Sequence, residues 1–255
     1  MKRYIFSILT ATALLASCTS KIDFDVSAIT GPVVATDLLL SEISTAINTD
    51  PLAGGNRSHY VELYNGTAGA VDLSDYAIGY QASTDLTTLA PWTFPTGNFL
   101  QLTGSLAKGK CYVIASPQVD ATVVKYDISW GTTSTTSANA SVPLQLSGNS
   151  AIALLKKDAA GTYTLNSIKY KIIDVFGSPL VTRVTTTGAT SARNNIIWPV
   201  AGEMDTRNRT FFRKKTITSP TTDWATAQGT STTTSQWDMS ADRAWDYTNI
   251  GLPTK

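Results

Sequence analysis

The chain has 255 residues, with 20 Lys+Arg against 19 Asp+Glu, 42% hydrophobic residues and 15% charged. That is enough apolar material for a sizeable core in one or two domains, and the near-neutral balance gives no global attraction to nucleic acid or to an anionic membrane. One histidine, His59, and two cysteines, Cys18 and Cys111, exclude a His-rich metal site, a Cys₄ zinc site and a disulfide framework.

The first element is an address. Lys2 and Arg3 form a cationic start, and residues 4–16 form an apolar run too short to span a bilayer. Residues 1–17 are therefore predicted to be a signal peptide. The ending Leu15-Ala16-Ser17-Cys18 resembles the lipobox of bacterial lipoproteins. That resemblance implies an acylated Cys18 as the new N-terminus and a membrane partner reached through lipid. It implies a place in the bacterial cell envelope, at the outer membrane or cell surface. Several acyl chains hold a protein where one would be marginal. An ordinary signal peptide with a chance cysteine is the alternative. Residues 18–35 read as the lipidated Cys and a tether.

Beyond residue 17, helical periodicity is nearly absent. Thr, Val, Ile and Tyr are abundant, and short apolar runs alternate with Gly, Pro, Asn, Asp and Ser clusters. This pattern predicts an all-β sandwich or barrel. The expected strands are 37–43, 59–65, 75–81, 110–116, 123–128, 142–147, 151–156, 168–172 and 209–217. Ile168, Tyr170 and Ile172 should share one face, with Lys169 and Lys171 on the other. A tight turn is expected at Asn65-Gly66 from positive φ, and a hairpin turn at Asp158–Gly161. Asp72 and Ser74 should bond neighbouring backbone N–H groups. Thr/Ser-rich stretches at 131–141 and 228–235 read as exposed loops.

Three blocks together resemble the lamin tail domain, an immunoglobulin-like β-sandwich. The opening block holds Leu38–Ile43, Tyr60-Val61-Glu62-Leu63-Tyr64-Asn65-Gly66 and Val71–Tyr76. The second is Leu106–Lys110 leading into Cys111–Ala115. The third is Leu144–Leu155 followed by Ile173–Gly177, with Thr210–Lys214, Trp237-Asp238 and Asn249–Gly251 behind it. The resemblance implies one sandwich over 36–252 with loop insertions around 80–100, 117–141 and 178–205.

Candidate chemistry is sparse. Glu42 and Glu62 are two of three glutamates, each inside an expected strand. They read either as a catalytic carboxylate pair or, preferably, as structural acids held by backbone donors or a cation such as Arg213. Alternation puts His59 and Glu62 on opposite faces, so no dyad forms, and His59 is expected at an edge, exposed or partly buried. Cys111 reads as a small buried hydrophobe. The densest cationic segment holds Arg207, Arg209, Phe211, Arg213 and Lys215 on one face of a strand. That stripe is the candidate polyanion-binding surface; the plainer reading is a solubilising face with Phe212 in the core. Six Trp residues are either sugar platforms or, in most cases, core and loop anchors.

The sequence thus points to a non-catalytic, lipid-anchored envelope protein serving adhesion, scaffolding or ligand binding, with no metal and no cofactor. Its partner would be an unknown protein or glycan, with nucleic acid the less favoured choice. The alternative is an accessory polyanion- or glycan-binding module of an extracellular nuclease or polysaccharide-processing system.

Overall fold

The structure is a computed structural model that describes residues 34–45, 58–81, 89–95, 97–131, 144, 146, 150–181, 184–186, 195–203, 206, 208–242 and 244–252. Val34–Lys255 is one compact unit. In chain order its strands are β1 (Leu39–Thr45), β2 (His59–Tyr64), β3 (Val71–Asp72), β4 (Tyr76–Gln81) and β5 (Phe99–Gln101). Next come β6 (Ser105–Leu106), β7 (Cys111–Ala115), β8 (Ile128–Ser129), β9 (Ala151–Lys157) and β10 (Tyr163–Leu165). The last are β11 (Ile168–Phe176), β12 (Val184–Thr186), β13 (Asn195–Ile197), β14 (Thr210–Arg213) and β15 (Trp237–Met239).

Two sheets carry the fold. One runs β15-β14-β1-β2-β7-β8, the other β10-β11-β9-β4-β5. Their pairings are antiparallel except β7–β8. β-Branched and aliphatic residues on facing sides form one core, including Leu38, Leu40, Ile43, Val61, Leu63, Ile78, Ile152 and Leu154. The outer side of the second sheet is covered by rings. Phe94 lies 5.3 Å from Phe99 and 5.1 Å from Tyr163, and Phe99 lies 5.4 Å from Tyr170. Gly79 lies beneath them, where a Cβ would press on the Phe94 ring.

Each sheet contains a bulge. The register of β1 slips between Leu40 and Glu42, and that of β11 between Ile172 and Asp174. A bulge frees backbone groups from the ladder and re-aims side chains. Here the Asp174 carboxylate reaches across and accepts the Leu40 N–H at 3.0 Å.

Several expected elements are corrected. Residues 123–128 are not a strand: the Val123 and Val124 N–H groups turn back to the Asp120 carbonyl, and only Ile128–Ser129 pairs. β14 stops at Arg213, because Lys214–Ile217 closes a turn. β1 starts and ends two residues later than expected. Most of 142–147 lies outside the described residues, and Leu144 has φ 58, which is not extended. The turn at Asn65-Gly66 forms without positive φ. The Asn65 amide instead donates to the Gly69 and Leu106 carbonyls, and a Cβ on Gly66 would strike Tyr64 and Ala35. Positive φ appears at Asn166 and Ser167, which join β10 to β11. A one-turn helix, α1 (Trp224–Gln228), capped by Asp223, breaks the all-strand pattern. A turn forms at Asp158–Gly161, with Gly161 N donating to Asp158 O at 2.8 Å, but it closes no hairpin, because β9 and β10 lie on either side of β11.

Candidate functional site

The cationic stripe does not form a solvent face. Arg207 and Cys18 lie outside the described residues. Phe211 and Arg213 do share a face of β14, but it is the inner one, and both side chains are fully buried. Arg213 donates to Asp174 at 3.2 Å and stacks 4.9 Å over the Trp237 ring. Asp174 also accepts from Thr221 and Val175 N–H groups. Burial pushes its carboxyl up from the usual carboxylate range, against the pull of Arg213 and these backbone donors. Arg209 is 8% exposed and precedes the strand. Lys215 alone of the described stripe is exposed, in the turn after β14. Phe212 points to the opposite side and is also buried, so both faces of this strand are covered. All six Trp residues are buried, and none forms an open stacking platform.

Glu42 and Glu62 stand directly opposite each other in the β1–β2 register, on the outer side of the first sheet. Each is 1% exposed. Tyr60 donates its hydroxyl to Glu42. Glu62 accepts from Ser41 Oγ at 2.7 Å and from the Gly251 N–H at 2.6 Å. Arg213 is not their cation, since it serves Asp174. Burial holds the Glu62 carboxyl above its ordinary value, although these donors pull it down. Burial also raises the Tyr60 hydroxyl and the Cys111 thiol.

The cover over this pair is the C-terminal segment. Asp246 N donates to Thr210 Oγ1, Tyr247 packs 6.2 Å from the Tyr60 ring, and the Leu252 carbonyl accepts from the Cys111 thiol at 3.2 Å. Ile250 joins Tyr60, Val113, Ala115 and Val124 in a second apolar cluster beneath it. His59 is corrected from an edge to an interior position: β2 lies between β1 and β7, and the side chain is 2% exposed. Its Nδ1 accepts the Leu146 N–H at 2.8 Å.

A cleft of about 430 Å³ is lined by Glu203, Arg209, Thr232, Asp238, Met239 and Ser240, with Ala201 and Ala241. It lies toward the Thr45 end of β1, because Arg209 O accepts the Thr45 N–H. The chain enters the domain at the other end, where Ala35 N bonds Gly66 O. Seven strand residues separate these ends, on the order of 20 Å at ~3.3 Å per residue. Among the described residues, no group of three or more His, Cys, Asp or Glu side chains is placed to hold a metal. No helix among them is long and apolar enough to cross a membrane.

Two facing, mainly antiparallel sheets around one core define an immunoglobulin-like β-sandwich. A family model described as Lamin Tail Domain matches residues 35–171, more than half of the chain, and the chain belongs to that family. One solved structure is similar, a DUF4876 family protein from Bacteroides thetaiotaomicron, at 14% identity and a TM-score of 0.38. The likeness covers 71% of this chain and 63% of that one, so this chain spans less than two thirds of its length. No curated protein matches the chain.

Proposed function

We propose that this is a non-catalytic, lipid-anchored envelope protein whose lamin tail domain is a binding module held off the membrane by residues 18–35. The observation that carries this reading is how the chain spends its reactive groups. His59, Glu42, Glu62, Asp174 and Arg213 are each at most 2% exposed, and the contacts around them tie strands, sheets or the C-terminal segment together. General acid–base work needs a group that reaches substrate, and these do not. A cleft at the end of the sheet away from chain entry has two exposed carboxylates, Glu203 and Asp238, in its lining.

Fractionation of cells expressing the parent chain and Cys18→Ala tests the anchor. The parent should sediment with membranes and extract into detergent, and the variant should be released. Membrane retention of the variant, or an unacylated parent N-terminus by mass spectrometry, would reject the anchored reading.

A further inference from the structure

We propose that the end of the sandwich at which the chain enters is a docking face for an anionic lipid surface, met by the ammonium groups of Lys108, Lys110, Lys169 and Lys215. The contact rests on the lipid-anchored reading and goes beyond it, because a flexible tether brings a domain to a membrane without orienting it.

The fold gathers lysines at one end. That end is fixed by the Ala35 N–H to Gly66 O and by the Thr36 N–H to Thr218 O. Lys108 and Lys110 lie in the turn before β7, where the Gly109 N–H donates to Asn65 O and the Asn65 N–H to Lys110 O. Lys214 and Lys215 follow β14, in the turn that leads to Thr218. In the second sheet Lys156 reaches Asp37, two residues before β1, at 2.7 Å. Lys171 pairs with Lys156 across the β9–β11 ladder, and Lys157 is the next residue of β9. Lys169 lies at the start of β11, beside the turn from β10. Among the described residues, Lys125 in the loop beside β7 is the one lysine outside this end.

Five aspartates share the end, and each is engaged. Asp37, Asp75 and Asp158 pair with Lys156, Lys157 and Lys171. Asp72 and Asp223 accept the Ser74 and Thr226 N–H groups. Lys214 donates to the Thr232 carbonyl. Lys108, Lys110, Lys169 and Lys215 are exposed and have no carboxylate partner among the described residues. A chain of 20 cations and 19 anions thus presents eight lysines against five aspartates on one end. A local excess of this kind attracts a negative surface although the whole molecule is near neutral.

The spread of the four lysines selects the partner. The turns of Lys110 and Lys215 belong to β7 and β14, three strand spacings apart in the first sheet. That separation is on the order of 14 Å at ~4.8 Å per spacing, and Lys169 stands in the other sheet, about 10 Å away. One phosphate cannot bridge such gaps, whereas a plane of headgroups meets all four ammoniums together. Lysine is a point charge on a flexible stem and suits phosphates without fixed positions; a fixed phosphate is better gripped by an arginine fork. The described arginines do not serve here, since Arg213 is fully buried and Arg209 lies at the Thr45 end. Two exposed apolar side chains stand on the same end, Val34 at 42% and Leu252 at 52%. Leu252 is placed there by its carbonyl, which accepts from the thiol of Cys111 at the start of β7. Apolar groups among lysines suit the boundary between headgroups and acyl chains.

The test is co-sedimentation of the chain from residue 19 with lipid vesicles. That chain keeps the whole compact unit Val34–Lys255 and lacks the cysteine that the anchor needs. The vesicles are phosphatidylcholine alone, or phosphatidylcholine with about three parts in ten of phosphatidylglycerol. At roughly 25 mM NaCl the chain should prefer the anionic vesicles at least about tenfold, and at about 500 mM the preference should vanish. Each lysine close to an anionic surface is worth about fivefold in partitioning. Lys108→Gln, Lys110→Gln, Lys169→Gln and Lys215→Gln combined should therefore bind the two vesicles alike within about twofold, and Lys125→Gln should keep the parent's preference. All five sites are exposed, and far-UV circular dichroism should be the same in parent and variants. Equal binding of the parent to both vesicles, or equal losses in the fourfold variant and Lys125→Gln, would overturn the proposal. So would displacement by about 10 mM inorganic phosphate at constant ionic strength, which marks a discrete phosphate site. Binding of a heparin oligosaccharide by a chain that ignores the vesicles would assign the face to a soluble polyanion and overturn it as well. Salt reverses this contact and does not reverse acylation, so fractionation of Cys18→Ala on membranes washed at about 500 mM NaCl reads the anchor alone.

Discussion

Asp174 and Arg213 form an ion pair 3.2 Å long in which neither side chain has any exposed surface, and it joins the two sheets of the sandwich. Asp174 belongs to β11 and Arg213 to β14. The carboxylate also serves Leu40, Val175 and Thr221, so one side chain ties the bulge of β1, its own bulge and the loop before α1. The guanidinium is shielded by the Trp237 ring, which in turn packs 5.0 Å from Phe176.

Removing one partner leaves a buried charge without compensation, which costs about 3–5 kcal/mol. Arg213→Ala and Asp174→Ala should each lose that much in urea unfolding. Lys171→Ala, which breaks the exposed Lys171–Asp158 pair, should leave the midpoint nearly unmoved. Equal midpoints for the buried and exposed variants would show that Arg213 is not held as described.

Two glycines should respond differently to a methyl group. At Gly79 the added Cβ meets the Phe94 ring, which is only half-buried and can tilt. At Gly161 it meets the backbone of Tyr170 in β11, which cannot yield without disturbing the β10–β11 hairpin and the β9–β11 ladder. Overpacking of a yielding site costs about 1–3 kcal/mol. Gly79→Ala should fall in that range and Gly161→Ala above it, by thermal or urea unfolding. The reverse order would place the hairpin backbone farther from Gly161 than described.

The period of each strand was legible, but the side it turned to the core was not. Ile168, Tyr170 and Ile172 do share one face, opposite the exposed Lys169 and Lys171, as alternation requires, but that face carries the ring layer on the outer side of the second sheet. The same rule correctly put Phe211 and Arg213 on one face. It could not tell that this face is the inner one, because the partner that makes a buried guanidinium tolerable is Asp174, 39 residues away. A strand buried on both sides carries no polar face to orient it. Glu42 and Glu62 were visible as strand acids, and only the register shows them opposed. The cleft was not legible at all. Its walls come from segments around 201, 209, 232 and 239 that meet only through tertiary bonds.

Glu62 makes stability depend on pH with a definite sign. Its folded pKa lies above the ordinary value of 4.5, with burial as the main cause. Between those two values the folded state binds more protons than the unfolded one, so stability falls as pH rises. The contribution is complete below 4.5 and is lost as pH passes through the folded value. In Glu62→Gln this proton is absent. Gln keeps one acceptor oxygen for the two donors Ser41 and Gly251, so its absolute stability also shifts; the informative quantity is the difference from the parent. That difference should move in favour of Gln as pH is raised from about 4 through neutrality. A difference that is constant with pH would mean that Glu62 titrates normally.

The strap over this pair can be read through a single thiol. In a Cys18→Ala chain, Cys111 is the only cysteine left. Its thiol donates to the Leu252 carbonyl, and burial followed by the nearby Glu62 carboxylate raises its pKa. Only the thiolate is alkylated, so both cover and desolvation slow the reaction. Deleting residues 247–255 removes the ring over Tyr60, the Gly251 donor and the Leu252 acceptor together. Iodoacetamide labelling at fixed pH should then accelerate at least about tenfold, since one unit of pKa already changes the thiolate fraction by that factor. Gly251→Ala supplies a milder version. Gly251 has φ 76, so the methyl group strains the turn that aims its N–H at Glu62, while the rest of the segment is retained. Its labelling rate should fall between parent and deletion, with the far-UV circular dichroism of the sandwich unchanged. Identical rates in all three proteins would show that Cys111 is shielded by the sheet itself and that residues 247–252 do not cover it.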